Sequence, residues 1–185
     1  MSRKRPQLFI ACERQYYSPS ITLADPSAAE PILFATMLEP SLHLGSYCDA
    51  FDTKNLALNG ISEIIVVARE CPPIVARECS PIEASRITTK HYPIDDHADA
   101  HVDFANITDH IQSNIDQGIN TLLCCRCGIS RSPTVAIAFY ILKRQMSFDE
   151  AFEYVSSRHE RTDPNAGFIL SLEQLSESQL SASES

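Results

Sequence analysis

The sequence predicts an α/β protein whose central, mostly parallel sheet of four to five strands is flanked by helices. Along the middle of the chain, apolar runs alternate with amphipathic ones, which is the pattern of a sheet covered by helices. The length of 185 residues suits one well-buried domain and is too short for two. We therefore expect an irregular arm over 1–36, one domain over 37–176 and a disordered, Ser-rich tail over 177–185.

Four apolar runs predict the strands of the sheet, and a shorter run predicts a strand in the arm. The four are Leu42–Ser46, Ile61–Ala68, Ile87–Ile94 and Ile119–Cys125, and the short one is Gln7–Cys12. Prolines at positions 6, 19, 26 and 31 interrupt the arm, so we expect little other regular structure there.

Five stretches with helical periodicity predict helices at Asp49–Leu58, Asp103–Gly118, Arg131–Arg144, Phe148–Arg158 and Pro164–Leu175. Glycine at 60 closes the first, and Gly118 ends the second because glycine can adopt the left-handed cap conformation. Ser147 and Glu150 have the spacing of a capping box at the start of the fourth. For the fifth, Asp163 is the expected cap and Pro164 the first helical residue.

Composition excludes several classes of function. No run approaches the roughly 18 apolar residues that a membrane span needs. A net charge of -9 repels nucleic acid, although a small local pocket could still bind one phosphate. The start "MSRKRPQLFIAC" has an apolar region shorter than the ~7–15 residues of a signal peptide. We therefore expect a reducing compartment, cytoplasmic or nuclear, and no membrane or nucleic-acid partner.

A local duplication separates two of the predicted strands. "VARECPPI" over Val67–Ile74 is followed at once by "VARECSPI" over Val75–Ile82. Two copies cannot build a solenoid, and the prolines make both poor strands, so we interpret the repeat as a lengthened surface loop. The alternative is a metal pair formed by Cys71 and Cys79, but seven intervening residues are not a customary zinc spacing.

The stretch "LLCCRCGISRSP" over Leu122–Pro133 lies where a predicted strand gives way to a helix. Such a junction directs backbone N–H groups and the positive end of a helix dipole toward one point, which favours an anion. A cysteine at the strand end would be stabilised there as the thiolate, the form that attacks electrophiles. Arg131, six positions after Cys125, can hold two oxygens of a phosphate. The pattern therefore indicates a site for attack on phosphorus.

These residues resemble a known family. "CRCGISR" fits the C-x5-R loop of cysteine-dependent phosphatases, and "GISRS" fits their dual-specificity branch. "LEPSLHLGSYCDAF" is similar to the opening strand and turn of that branch, "HYPIDD" to its general-acid loop, and "MSFDEAFEYVSSRHERTDPNAGF" to its last two helices. The resemblance covers roughly Leu38 to Ser176 and implies a phosphatase-like fold, without metal or cofactor.

The resemblance implies a role for each matching residue. Cys125 would be the nucleophile, Arg131 would bind phosphate and stabilise the transition state, and the hydroxyl of Ser132 would help the sulfur leave. Asp96 would be the general acid, with Asp95 and Asp99 as alternatives. The backbone amides that cradle the phosphoryl oxygens would belong to Arg126, Cys127, Gly128, Ile129, Ser130 and Arg131.

Two further cysteines leave alternatives open. The residue before the nucleophile is usually histidine in the family, and here it is Cys124, which predicts a slower enzyme; the other interpretation is a small buried strand residue. Cys127 could trap oxidised Cys125 as a disulfide or simply fill a tolerant loop position. A zinc site formed by this cluster conflicts with the alternation of side chains along a strand.

The partner we expect is a phosphoprotein, because Arg126 is the only basic residue inside the loop whereas family members acting on inositol lipids place several there. "SRKRPQLFI" resembles a docking peptide for mitogen-activated protein kinases; a solvated basic terminus or a nuclear import signal are its alternatives. Three functions compete: a dual-specificity protein phosphatase, a pseudophosphatase that binds phosphoproteins without turnover, and, more weakly, a thiol redox protein.

Overall fold

A computed structural model describes residues 34–71 and 87–183, with side chains as far as 181. In this part of the chain one mixed sheet has five strands in the order β1-β2-β5-β3-β4. The first pair, β1 and β2, is antiparallel, and the remaining neighbours are parallel. The strands are β1 (Thr36–Glu39), β2 (Leu42–Ser46), β3 (Glu63–Val66), β4 (Thr88–His91) and β5 (Thr121–Cys125). The predicted fold class is confirmed.

The central strand, β5, carries the predicted nucleophile at its last position. All five of its residues are buried, since it pairs with β2 on one side and β3 on the other. The register places Ser46 opposite Cys125 and Val66 opposite Cys124. Because parallel strands end at the same edge of a sheet, the segments that follow β2, β3 and β5 meet around Cys125, where ligands of such sheets bind.

Within residues 34–71 and 87–183, five α-helices surround the sheet: α1 (Thr53–Leu58), α2 (Phe104–Asp116), α3 (Arg131–Arg144), α4 (Phe148–Arg158) and α5 (Ala166–Ser183). The innermost is α3, whose residues are buried continuously from Arg131 to Ile141. It packs against β2, β5 and the helices α2, α4 and α5. A helix buried on every side has a fixed position, so its N-terminus is held rigidly beside the end of β5.

Several predicted elements are confirmed. The bounds of α3 and α4 are those expected, and the capping box is present: Ser147 Oγ accepts from the Glu150 amide, and Glu150 Oε2 accepts from the Ser147 amide at 2.8 Å. The predicted helix Asp49–Leu58 is broken, however. A 3₁₀ turn over Asp49–Phe51 is followed by Asp52, which caps α1 by accepting from the Asn55 amide at 3.0 Å.

The first strand was not expected, since the predicted arm extends to residue 36. Thr36–Glu39 pairs with β2, and Arg144 at the end of α3 binds both carboxylate oxygens of Glu39, at 2.9 and 2.7 Å. This long-range ion pair has no local signal in the sequence. The strand β2 has the predicted bounds, whereas β3, β4 and β5 are shorter than predicted, with β3 ending at Val66 and β4 at His91.

The last helix differs from the prediction at both ends. It begins at Ala166, and its cap is Asn165, whose Oδ1 accepts from the Phe168 amide at 3.1 Å, so the expectation of Asp163 as cap is wrong. It continues to Ser183, through most of the tail expected to be disordered. Buried Phe168 and Leu172 anchor it to the core, and serine hydroxyls farther along bond to carbonyls of the preceding turn.

Several predictions lie outside the described residues, namely the strand Gln7–Cys12, the docking peptide and the second octad of the repeat. Within the described residues, no helix combines the length and the apolar character that crossing a membrane requires.

Candidate active site

The segment from Cys125 to Arg131 forms a loop between β5 and α3. Four of its carbonyl oxygens accept hydrogen bonds from groups outside the loop or deeper in α3. The donors are the Tyr47 amide to Arg126 O, His159 Nε2 to Gly128 O, the Asp163 amide to Ile129 O, and the Thr134 amide and hydroxyl to Ser130 O. Because C=O and N–H of one trans peptide point in opposite directions, the amides of residues 127, 129, 130 and 131 turn toward the inside of the loop. These four residues are among the six whose amides are predicted to cradle an anion.

Gly128 lies at the closest approach of the loop to the sheet. Its φ is +70°, and a Cβ atom built there would lie 2.9 Å from the carbonyl oxygen of Gly45 in β2. Glycine is required for both reasons, the left-handed backbone and the absence of room for a methyl group.

Cys125 is buried at the bottom of this loop and is 1% exposed. The hydroxyl of Ser132 lies 3.2 Å from its Sγ and equally far from the carbonyl oxygen of Gly45. The contact expected between the serine and the sulfur is therefore present. With the N-terminus of α3 directly beyond, the sulfur lies where a helix dipole and a hydrogen-bond donor both favour negative charge.

The neighbouring thiols differ from Cys125 in their surroundings. Burial raises the pKa of Cys124 well above its ordinary value, and burial likewise raises the pKa of Cys71 to about 12. Both therefore remain protonated near neutral pH. Cys71, Cys124 and Cys125 are free thiols. Cys124 is a buried residue of β5, and because side chains alternate along a strand it lies on the face opposite Cys125.

Arg131 is buried beneath the loop, 4% exposed, and its fork is held from below by Glu70. Nη1 and Nη2 donate to the two carboxylate oxygens at 2.6 Å each, and Nη1 also donates to the carbonyl of Ile94 at 3.2 Å. Burial alone would raise the pKa of Glu70, but the hydrogen bonds and charge of Arg131 hold it below its ordinary value. Burial alone would lower the pKa of Arg131, but Glu70 and the Cys125 sulfur raise it above its ordinary value. The guanidinium therefore stays charged.

One donor of this guanidinium has no hydrogen-bond acceptor. Arg131 Nε is fully buried and makes no hydrogen bond, although it forms an ion pair with Asp96 Oδ2 at 3.4 Å. A buried N–H without an acceptor costs free energy, which an oxygen of a bound anion would recover.

Of the three aspartates considered as general acid, Asp96 lies against the loop. Its Oδ1 accepts from Ser130 Oγ at 2.8 Å and from Asn165 Nδ2 at 3.0 Å. Asp95 instead forms an exposed ion pair with Arg69 at 2.8 Å, and the side chain of Asp99 is 92% exposed. Both of these donors contact Oδ1, and Oδ2 faces Arg131 Nε at 3.4 Å.

Three residues of the site were missed by sequence reasoning: Glu70, His159 and Asn165. Glu70 lies in the first octad of the repeat, which was interpreted as a loop, although an acidic residue just after a parallel strand is a usable signal. The two others lie between α4 and α5, and their contacts with the loop and with Asp96 have no local pattern.

In the described residues, no group of three or more His, Cys, Asp or Glu side chains is arranged to hold a metal ion. The groups converging on the loop are instead a thiol, a guanidinium, a carboxyl and backbone amides. The fold and this site are those of the cysteine-dependent phosphatases.

Comparison with known proteins shows to which family within this class of phosphatases the chain belongs. The family model described as "Dual specificity phosphatase, catalytic domain" matches residues 42–178. Human dual specificity protein phosphatase 5 is 32% identical over 137 residues, which cover 70% of this chain and 32% of the relative. The chain belongs to the dual-specificity phosphatase catalytic-domain family. It spans about a third of the length of that curated relative.

Solved structures show the same fold. A mouse putative dual specificity phosphatase, complexed with zinc tungstate, aligns with a TM-score of 0.71 and 24% identity over 88% of this chain and 97% of that one. A human tyrosine phosphatase-like serine/threonine/tyrosine-interacting protein aligns with a TM-score of 0.67 and 27% identity over 79% and 97%.

Proposed function

We propose that this chain is an active protein phosphatase that hydrolyses phosphotyrosine and phosphoserine or phosphothreonine through a phosphocysteine intermediate. The observation that carries the proposal is the buried Nε of Arg131, which makes no hydrogen bond, beside an amide-lined loop with the sulfur of Cys125 at its base. A phosphoryl oxygen would accept from this donor while other oxygens accept from the loop amides.

In the first step, the Cys125 thiolate attacks phosphorus and the bond to the leaving oxygen breaks. Asp96 supplies the proton, so that the product alcohol or phenol leaves neutral. Arg131, fixed by Glu70, stabilises the charge of the transferring phosphoryl group.

In the second step, Asp96, now a carboxylate, takes a proton from water as its oxygen attacks the phosphocysteine. The S–P bond breaks, inorganic phosphate forms and the sulfur recovers its electron pair. The hydroxyl of Ser132, 3.2 Å from Sγ, donates to the developing thiolate. Asn165 and Ser130 keep Asp96 over the loop in both steps.

Phosphoproteins are the proposed substrates, with a mitogen-activated protein kinase as one candidate and a cytoplasmic or nuclear location. A second function, binding of phosphoproteins without turnover, is favoured by one observation. Cys124 occupies the position before the nucleophile as a neutral, buried thiol, which cannot provide the polar contacts of an imidazole.

Hydrolysis of a small aryl phosphate under reducing conditions tests the proposal. We expect turnover by the wild type, none by Cys125→Ser, and a loss of about 10²–10⁴-fold for Asp96→Asn, the usual contribution of general acid–base catalysis. Asp99→Asn removes an exposed aspartate from the same segment and is the matched control. A folded wild type that binds a phosphopeptide without hydrolysing any phosphate would establish the binding function instead.

A further inference from the structure

The connection between α4 and α5 contacts the loop through a histidine with no role in the proposed chemistry. His159, the C-cap residue that directly follows α4, is half-buried. Its Nε2 lies 2.7 Å from the carbonyl oxygen of Gly128, and its Nδ1 lies 3.1 Å from Thr36 Oγ1. Thr36 is the first residue of β1. The imidazole therefore connects the loop to an edge strand of the sheet.

The two hydrogen bonds define the state of the ring. A carbonyl oxygen only accepts, so Nε2 carries the hydrogen, and Nδ1 accepts from the Thr36 hydroxyl. Burial lowers the pKa of His159, and the nearby charge of Arg161 acts in the same direction against the opposing effects of Gly128 O and Asp49. The ring is neutral near pH 7, with its one N–H directed at the loop.

We propose that His159 is a positioning residue that keeps the Gly128–Ile129 peptide in its anion-binding orientation; the inference rests on the proposed function of the loop. Of the four loop carbonyls, Arg126 O, Ile129 O and Ser130 O accept from backbone amides. Gly128 O accepts from a side chain. Its orientation therefore depends on the identity of residue 159.

The consequence of losing this donor follows from the geometry of a peptide. If the Gly128 carbonyl turned inward, the Ile129 amide would turn outward, so that an acceptor replaced a donor beside the phosphoryl group. Glycine at 128 permits such rotation because it lacks a Cβ atom. His159 thus favours the orientation in which the amide faces the anion.

The test compares His159→Gln with His159→Met. The two side chains have similar length, but only glutamine carries an amide donor. The probe is tungstate, and its dissociation constant is measured by calorimetry on the full chain. For Met we expect binding weaker by about tenfold, as for loss of one charge-assisted hydrogen bond, and for Gln a value within about twofold of the wild type.

Tyr154→Phe is the control for a general loss of stability. Its hydroxyl donates to the Leu38 carbonyl at 3.0 Å, so the variant also loses a bond to a backbone carbonyl, but one outside the loop. We expect its tungstate affinity to stay within about twofold of the wild type. Equal affinities of folded Gln and Met variants would overturn the inference.

A measurement on the wild type covers the case in which the Met variant fails to fold. Long-range ¹H–¹⁵N spectra should show His159 as the neutral Nε2–H tautomer with and without tungstate, and the Nδ1–H tautomer would overturn the inference. Aryl phosphate hydrolysis separates the two proposals. If the wild type shows no turnover but the Gln and Met variants differ in tungstate affinity, the positioning role of His159 holds and the proposed enzymatic activity is refuted. If the wild type turns over substrate but the two variants bind tungstate equally, the activity holds and the positioning role is refuted.

Discussion

Replacement of Gly128 by alanine places a methyl group between the loop and the strand beneath it. The new Cβ atom would lie 2.9 Å from Gly45 O, 3.0 Å from Gly45 C and 3.2 Å from the Ser46 amide nitrogen, all of them backbone atoms that cannot rotate away. The residue would also keep a φ of +70°, which is unfavourable for any side chain. Both effects displace the loop from β2.

Gly118 offers a matched control, since its φ is +68° and nothing lies within 4 Å of its hypothetical Cβ atom. For Gly118→Ala we expect a loss of about 1–2 kcal/mol in the free energy of unfolding, the cost of a left-handed alanine. Gly128→Ala adds overpacking of about 1–3 kcal/mol, for a total of roughly 2–5 kcal/mol.

Activity should separate the two variants further than stability does. A displaced loop misaligns its amides with the phosphoryl oxygens, and a misplacement of about 1 Å can cost on the order of 10²-fold in rate. We therefore expect kcat/KM for an aryl phosphate to fall by about 10²-fold in Gly128→Ala and to change little in Gly118→Ala. Urea titration supplies the stabilities. If the two alanine variants retained equal kcat/KM, the close approach of loop and strand would not matter for catalysis.

Three further predictions concern the groups around the loop. Asn165→Ala removes a hydrogen-bond donor to Asp96. It should lower kcat by about tenfold for aryl phosphates with basic leaving groups and have little effect on those with acidic leaving groups. Equal losses for both kinds of substrate would refute a role of Asn165 in holding the general acid. Ser132→Ala should slow hydrolysis of the phosphocysteine about 10- to 100-fold, because the sulfur of Cys125 loses its hydrogen-bond donor. Rapid mixing with an aryl phosphate should then show a burst of phenol. A time course without a burst and with unchanged kcat would contradict this. Burial lowers the pKa of His159 in the folded protein, so below about pH 6.5 the unfolded chain binds more protons than the folded one. In urea titrations, the free energy of unfolding of the wild type should therefore fall more steeply from pH 7.5 to 5.5 than that of His159→Gln. Parallel losses in the two proteins would refute the assignment.

The elements predicted most accurately from sequence are those with local signals. The bounds of α3 and α4 follow from helical periodicity and from a capping box formed by Ser147 and Glu150, which are three positions apart. The loop from Cys125 to Arg131 is likewise contiguous, and its chemistry can be inferred from residue types and spacing alone.

What the sequence does not reveal is fixed by contacts between distant segments. Glu70 binds Arg131 across 61 positions, and Arg144 binds Glu39 across 105, so no local pattern identifies the partner of either arginine. The last helix continues beyond its predicted end, and the first residue of this extension, Ser176, is buried and accepts from the Phe148 amide at 3.0 Å across 28 positions.

The central position of β5 also affects the order in which this protein folds. The strand that ends in the nucleophile pairs with segments that lie about 60 to 80 positions earlier in the chain, and its loop is completed by residues as late as Asn165. Contacts of such large sequence separation form late in folding, because the loops they close are costly in entropy. During refolding, the return of the proposed phosphatase activity should therefore lag behind the formation of helix. On the ribosome, a growing chain would complete this site only after the segment through Asn165 had been made.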